Sequence, residues 1–214
     1  MATVPNRTDS SCFLCSPDPE LVYAEVAEAF ALAGLGPITE GYSVVATRQH
    51  IASAADAIQV TSGLVEFAES VRSELAKRAG SCLLTEHGRL PVCVDISGTS
   101  DSHCYHAHFL LFPGAPDITP LAASYFRTAE QSNGVQSALE LAAPYSDYLL
   151  VSPNAHSATV MTRPGRIIRQ FARVLVADSL GRANQANWRK HPNKESAIET
   201  AASLRKVFRI GHAG

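Results

Sequence analysis

Apolar residues fall at helical spacing over residues 61–79, where Leu64, Phe67, Ala68, Val71 and Leu75 line one face. That pattern predicts an amphipathic helix. Shorter apolar runs bounded by turn residues read as strands. One is residues 42–47, after the Gly- and Pro-containing loop 34–41; a second is 82–85, ending at Glu86-His87-Gly88. A polar loop at 97–102 leads into a mostly apolar strand at 103–112, which carries three histidines and is stopped by Pro113-Gly114. Further strands are predicted at 148–151, with a Ser-Pro-Asn turn behind it, and at 156–161. Residues 121–141 read as a helix, and helices at 166–180 and 194–208 flank a loop holding Trp188. The stretch 21–33 is rich in alanine and glutamate, so propensity alone favours helix there. Strands come first and helices gather at the end, which predicts an α+β fold rather than an alternating α/β one.

The histidine strand carries the chemistry. It reads His103-Cys-Tyr-His106-Ala-His108-Phe-Leu110-Leu-Phe-Pro113. Residues two apart on a strand share a face, so His106 and His108 sit side by side with Leu110 next along. Two adjacent imidazoles on a core strand are costly to bury without partners. Three readings fit: a satisfied core pair, a metal site, or catalysis.

Composition narrows the class. With 214 residues, 46% hydrophobic and 18% charged, the chain can build one sizeable core, or one core and a small appendage. No apolar run is long enough to span a bilayer, and residues 1–11 lack the charged-then-apolar order of a signal peptide. A cytoplasmic protein with no membrane partner is expected. The five cysteines, an odd number, then argue against a disulfide framework and for thiols that are buried, catalytic or metal-bound. Charge is uneven: from Arg163 onward there are 11 Lys/Arg and 3 Asp/Glu, while residues 1–162 hold 7 basic and 17 acidic side chains. The basic tail is either a solvated helical surface or a source of arginines for a phosphate-bearing ligand.

His106-Ala-His108-Phe-Leu110-Leu-Phe-Pro113 resembles the H-x-H-x-H segment of histidine triad (HIT) proteins, including the proline that follows. Upstream pieces lie in the family's order. Cys12-Phe-Leu-Cys15 is similar to the C-x-x-C near the start of many bacterial members. Residues 41–51, ending in His50-Ile51, resemble the family strand that ends in Pro-Lys-x-His-Ile. Glu86-His87-Gly88 is similar to a Glu-His-Gly of longer HIT-like proteins, and residues 170–189 resemble their C-terminal helices more loosely. The resemblance implies antiparallel strands over 21–33, against local propensity. It also implies a HIT-type antiparallel sheet with packed helices: a nucleotide-binding catalytic domain over 1–162 and a basic helical extension over 163–214 packed on it.

The implied chemistry is nucleotidyl hydrolysis or transfer. His108, at the middle motif position, attacks the α-phosphorus of a nucleotide phosphate ester or phosphoramidate and forms a nucleotidyl-histidine intermediate. Imidazole suits this, being a good neutral nucleophile near pH 7 and later a good leaving group. The resemblance places His106 and His103 beside it as catalytic candidates. The loop 97–102, with Ser100 and Ser102, could supply hydroxyl and N–H donors to phosphoryl oxygens, or be a plain exposed turn. His87 and Arg173 are further substrate-binding candidates, with Arg169 and Arg189 as other arginines of the tail. Cys12, Cys15, His50 and His106 match the ligands of a structural zinc in zinc-bearing members, a Cys2His2 set suited to a closed tetrahedral site. A homodimer is a weaker implication, and nucleic acid is not expected as a partner.

Two positions depart from the pattern. Leu110 stands where most members have a third histidine, and leucine has neither donor nor proton. Transferases of the superfamily with glutamine there still work, so Leu110 argues for transfer, or for leaving groups that depart as stable anions. His103 or His87 could take over the proton role, although simple alternation puts neither on the His106/His108 face. The stretch Ala33-Gly-Leu-Gly36 lacks the aspartate that holds ribose hydroxyls in some members. The alternatives are a catalytically weak nucleotide- or RNA-binding HIT-like protein and a zinc-stabilised interaction module.

Overall fold

The computed structural model describes residues 12–90 and 105–210. Among the described residues, eight strands form one antiparallel sheet in the order β1-β2-β3-β5-β4-β7-β8-β6. They are β1 (Val22–Glu25), β2 (Ala29–Ala33), β3 (Ser43–Thr47), β4 (Cys82–Glu86), β5 (His108–Pro113), β6 (Phe126–Ser132), β7 (Tyr148–Asn154) and β8 (Ser157–Pro164). The helices are α1 (Ala54–Ala57), α2 (Leu64–Ala79), α3 (Thr119–Ala123), α4 (Val135–Ala142), α5 (Phe171–Ser179) and α6 (Lys194–Ile210). The class is α+β, with the last two helices at the C-terminal end.

Residues 22–33 are a hairpin, not the helix that composition favours. All five residues of β2 are buried, paired with β1 on one side and with β3 on the other. A helix there would leave the edge of β3 unpaired, and an unpaired ladder outweighs the small propensity advantage of alanine. The single helix expected over 121–141 is also corrected. It divides into α3, β6 and α4 because Phe126–Ser132 adds an edge strand along β8, with Thr128 opposite Thr162 and Gln131 opposite Thr159. Gly134, at φ 98°, turns the chain from that strand into α4. The histidine strand begins at His108; residues 105–107 lead into it without strand structure.

β5 lies between β3 and β4, near the middle of the sheet. The register sets Leu110 opposite Val44 and Thr85, and Phe112 opposite Leu83, so these side chains share a face with His108. α2 packs on the opposite face, where its buried Arg72 donates to Ser152 Oγ at 2.7 Å, beside Leu84.

Three arginines of the C-terminal segment clasp backbone carbonyls, most of them in residues 19–38. Arg173 donates to Gly36 O (2.6 Å) and Ala186 O (3.0 Å), Arg182 to Ile38 O (2.5 Å), and Arg205 to Val22 O (2.8 Å) and Glu20 O (2.6 Å). Gly36 is needed at the centre of this clasp. Its φ is +61°, its N–H donates to Pro192 O at 2.6 Å, and a Cβ there would lie 2.7 Å from Trp188 Cβ.

Candidate functional site

Two imidazole clusters flank the start of β5. The first gathers Cys12, Cys15, His50 and His106, whose ligand atoms all lie within 4.8 Å of one another. A tight turn, Cys15 N–H to Cys12 O at 3.1 Å, brings the two thiols to one side. His50 follows β3, and its ring meets that of His106 edge-on at 5.0 Å between centroids. His106 Nε2 lies 2.8 Å from the Thr47 carbonyl, so Nε2–H donates and Nδ1 turns its lone pair toward the thiols. Nδ1 of His106 is 3.3 Å from Cys12 Sγ and 3.7 Å from Cys15 Sγ; Nδ1 of His50 is 3.0 Å from Cys15 Sγ.

These separations fit a metal. Zinc bonds of about 2.3 Å to sulfur and about 2.0–2.1 Å to nitrogen, in a tetrahedron, set ligand atoms roughly 3.3–3.8 Å apart. The separations of 3.0, 3.3 and 3.7 Å lie close to that spacing, so the four residues could bind a metal ion. Burial holds His106 down at about 4, against the opposing hydrogen bond to Thr47, so its imidazole is neutral and free to ligate.

The second cluster centres on His108. Its Nδ1 is 2.6 Å from the His106 carbonyl, so Nδ1–H donates there and Nε2 carries the lone pair. Burial, followed by the neighbouring His87, pushes His108 down to about 3, which keeps it neutral across the physiological range. The geometry presents a neutral imidazole with a fixed tautomer and one nucleophilic nitrogen.

His87 reaches this cluster from the neighbouring strand. β4 and β5 pair Cys82 with Pro113, Leu83 with Phe112, Leu84 with Leu111 and Thr85 with Leu110. Continued two residues past Thr85, that register sets His87 opposite His108. The rings meet edge-on, 4.9 Å between centroids. His87 Nδ1 is 3.1 Å from the Gly88 carbonyl and donates to it. Alternation along β5 alone did not put His87 on this face; the cross-strand register does. Thr85, opposite Leu110, is fully buried and its hydroxyl has no hydrogen-bond partner.

Glu86 points to the opposite face, and neither it nor Tyr148 was singled out by motif reasoning as an anchor. It is buried, and its carboxylate accepts from Ala54 N–H at 3.2 Å, while Tyr148 Oη accepts from Ala55 N–H at 3.1 Å. Together they tie the segment after His50 to the end of β4. Burial pushes Glu86 up to about 7, with the Tyr148 hydroxyl and the Ala54 amide pulling the other way. An acid at the end of the otherwise uncharged run Cys-Leu-Leu-Thr was the available signal.

Among the other substrate-binding candidates, Arg173 is buried and stacks over Tyr42 at 4.8 Å from the ring centroid; Tyr42 in turn stacks on Phe112 at 4.9 Å. Phe112 is four residues along β5 from His108, roughly 13 Å at strand rise. Arg173 Nη1 is buried without a hydrogen-bond partner. Arg189 lies over the Trp188 ring, 5.6 Å from its centroid, and Arg169 sits in the turn before α5. Ser100, Ser102 and His103 lie outside the described residues.

No protein-family profile matches the chain, and no curated protein matches it. Solved structures do. A HIT family hydrolase from Clostridium thermocellum matches at 15% identity and TM-score 0.32, covering 50% of this chain and 93% of that one. A protein from Streptococcus mutans matches at 18% identity and TM-score 0.34, covering 53% and 80%. A Hit-like protein involved in cell-cycle regulation from Bartonella henselae matches at 15% identity and TM-score 0.31, covering 47% and 74%.

Proposed function

We propose that the chain is a HIT-type enzyme, a nucleotidyl hydrolase or transferase whose nucleophile is His108. The observation that carries this reading is the 2.6 Å hydrogen bond from His108 Nδ1–H to the His106 carbonyl, which leaves Nε2 as the nucleophilic nitrogen of a neutral ring. The motif His106-Ala-His108 and the ordered pieces upstream supply the expected reaction.

In that reaction Nε2 attacks the α-phosphorus of a bound nucleotide and displaces the leaving group. The His106 carbonyl keeps accepting from Nδ1–H as the ring becomes phosphorylated, and so stabilises the positive charge that develops on it. Water or a second acceptor then attacks phosphorus in line, and His108 departs as neutral imidazole. Zinc is the metal the Cys2His2 set suits, and when bound it would supply a closed structural link, holding residues 12–15 against His50 and His106. His106 would then serve twice: its ring as a ligand and its carbonyl as the partner that fixes the His108 tautomer.

A second reading is favoured by one observation, the buried Leu110 in place of a polar motif residue: a nucleotide-binding protein with weak or lost chemistry. Covalent trapping separates the two. Incubation with the p-nitrophenyl ester of AMP, then denaturation and intact-mass measurement, should show one nucleotidyl group per chain that maps to His108. Nucleotide binding without any adduct would favour the second reading.

A further inference from the structure

We propose that His87 is the proton donor and acceptor for the His108 reaction, supplying from β4 what Leu110 cannot supply from β5. This inference rests on His108 being the nucleophile. Four side chains form a square on one face of two adjacent strands: His108 and Leu110 on β5, His87 and Thr85 opposite them. A departing amine or alkoxide needs a proton as the P–X bond breaks. Leu110 has none to give. Thr85 has a hydroxyl, whose proton is far too tightly held near neutral pH. Among the described residues, the one group of this square other than the nucleophile that can carry a proton in that range is the His87 imidazole, and its ring is in edge contact with His108.

The ring geometry assigns the nitrogen. His87 Nδ1–H is directed at the Gly88 carbonyl, so the nitrogen that exchanges protons with the reacting groups is Nε2. In the first step the His108 Nε2–P bond forms and the P–X bond breaks. The proton on His87 Nε2 passes to X, leaving His87 neutral. In the second step water attacks phosphorus, the P–N bond breaks, and the water proton passes to His87 Nε2. The products are HX and the nucleoside monophosphate, and both imidazoles return to their starting states.

This alters the expectation that Leu110 alone creates. With His87 in place, the wild-type protein should cleave substrates with poor leaving groups as well as good ones. The steep dependence on leaving group should appear only when His87 is removed.

The test compares two substrates of one nucleotide: the p-nitrophenyl ester of AMP, whose leaving group departs as a stable anion, and an alkylamine phosphoramidate of AMP, whose amine must be protonated. His87→Gln should slow the phosphoramidate by about 10²–10⁴-fold and the ester by less than about tenfold. Leu110→His in the His87→Gln background should restore part of the phosphoramidate rate, which also guards against simple misfolding. Equal loss on both substrates without that rescue, or no loss on either, would overturn the assignment. If the ester gives no His108 adduct in the wild-type protein, the nucleophile reading fails and the His87 role with it. An adduct formed normally, with phosphoramidate cleavage indifferent to His87→Gln, overturns the His87 role alone.

Discussion

At the scale of single residues, the site depends on which nitrogen of each imidazole is committed. His106 donates from Nε2 to Thr47 and His108 donates from Nδ1 to His106, so the two rings present opposite nitrogens to two different tasks. The sequence placed the two histidines side by side but carried no sign of this division, because it depends on carbonyls from β3 and from the backbone before β5. Nor could it place His87. The sum of residue numbers across the β4–β5 ladder fixes that contact, and register is not written in either strand alone. Glu86 gives a pH prediction. Its pKa is raised in the folded state, to about 7 from an ordinary 4.5, so its contribution to stability is fully present below about 4.5 and is lost as pH rises through about 7. Glu86→Gln keeps an oxygen for the Ala54 amide and removes the buried charge. It should therefore raise the stability measured by urea unfolding at pH 8, by up to about 3 kcal/mol, and change it much less at pH 5. A variant less stable than wild type at pH 8 would show that the charged carboxylate is favoured where it lies.

At the scale of elements, patterns with strong periodicity were legible and strands built from helix-favouring residues were not. The helix around Leu64, Phe67, Val71 and Leu75 was expected and is α2 (Leu64–Ala79). The alanines of β2 and the Glu-Gln run of β6 carry helical propensity, yet tertiary pairing makes both strands. For β2 the motif resemblance corrected the propensity; for β6 nothing did. The clasp of the C-terminal segment on loop 34–38 was legible only as an excess of arginine. Its rigidity makes a prediction: Gly36→Ala, which needs both a positive φ and a Cβ against Trp188, should destabilise by about 2–4 kcal/mol in urea unfolding. A loss under about 0.5 kcal/mol would mean the loop and Trp188 separate freely. The Cys-His cluster makes another. Purified protein should hold about one zinc per chain, and Cys12→Ser should remove it and lower thermal stability by about 3 kcal/mol or more, roughly 6–12 °C for a chain of this size. Zinc-free protein of unchanged melting temperature, purified without chelator, would contradict the metal reading.

At the scale of the whole molecule, the sheet brings together parts that are distant in sequence. The Cys12–Cys15 turn, His50 after β3, His87 after β4 and the residues leading into β5 converge on one end of adjacent strands. The α+β class followed from the order of strands and helices, and the antiparallel sheet from the motif resemblance. The position of the basic tail did not, because three of its arginines bind backbone carbonyls, which a charge count does not reveal, and one lysine, Lys194, pairs with Asp18 at 2.7 Å. The proposed function turns on whether His108 becomes covalently nucleotidylated. The most direct measurement is intact mass after brief incubation with the p-nitrophenyl ester of AMP, on the wild-type protein and on His108→Ala. The expected result is one nucleotidyl adduct per chain, mapped to His108, that is absent from the variant although it folds with an unchanged melting temperature. An adduct of equal yield in His108→Ala, or none in the wild-type protein, would contradict the account.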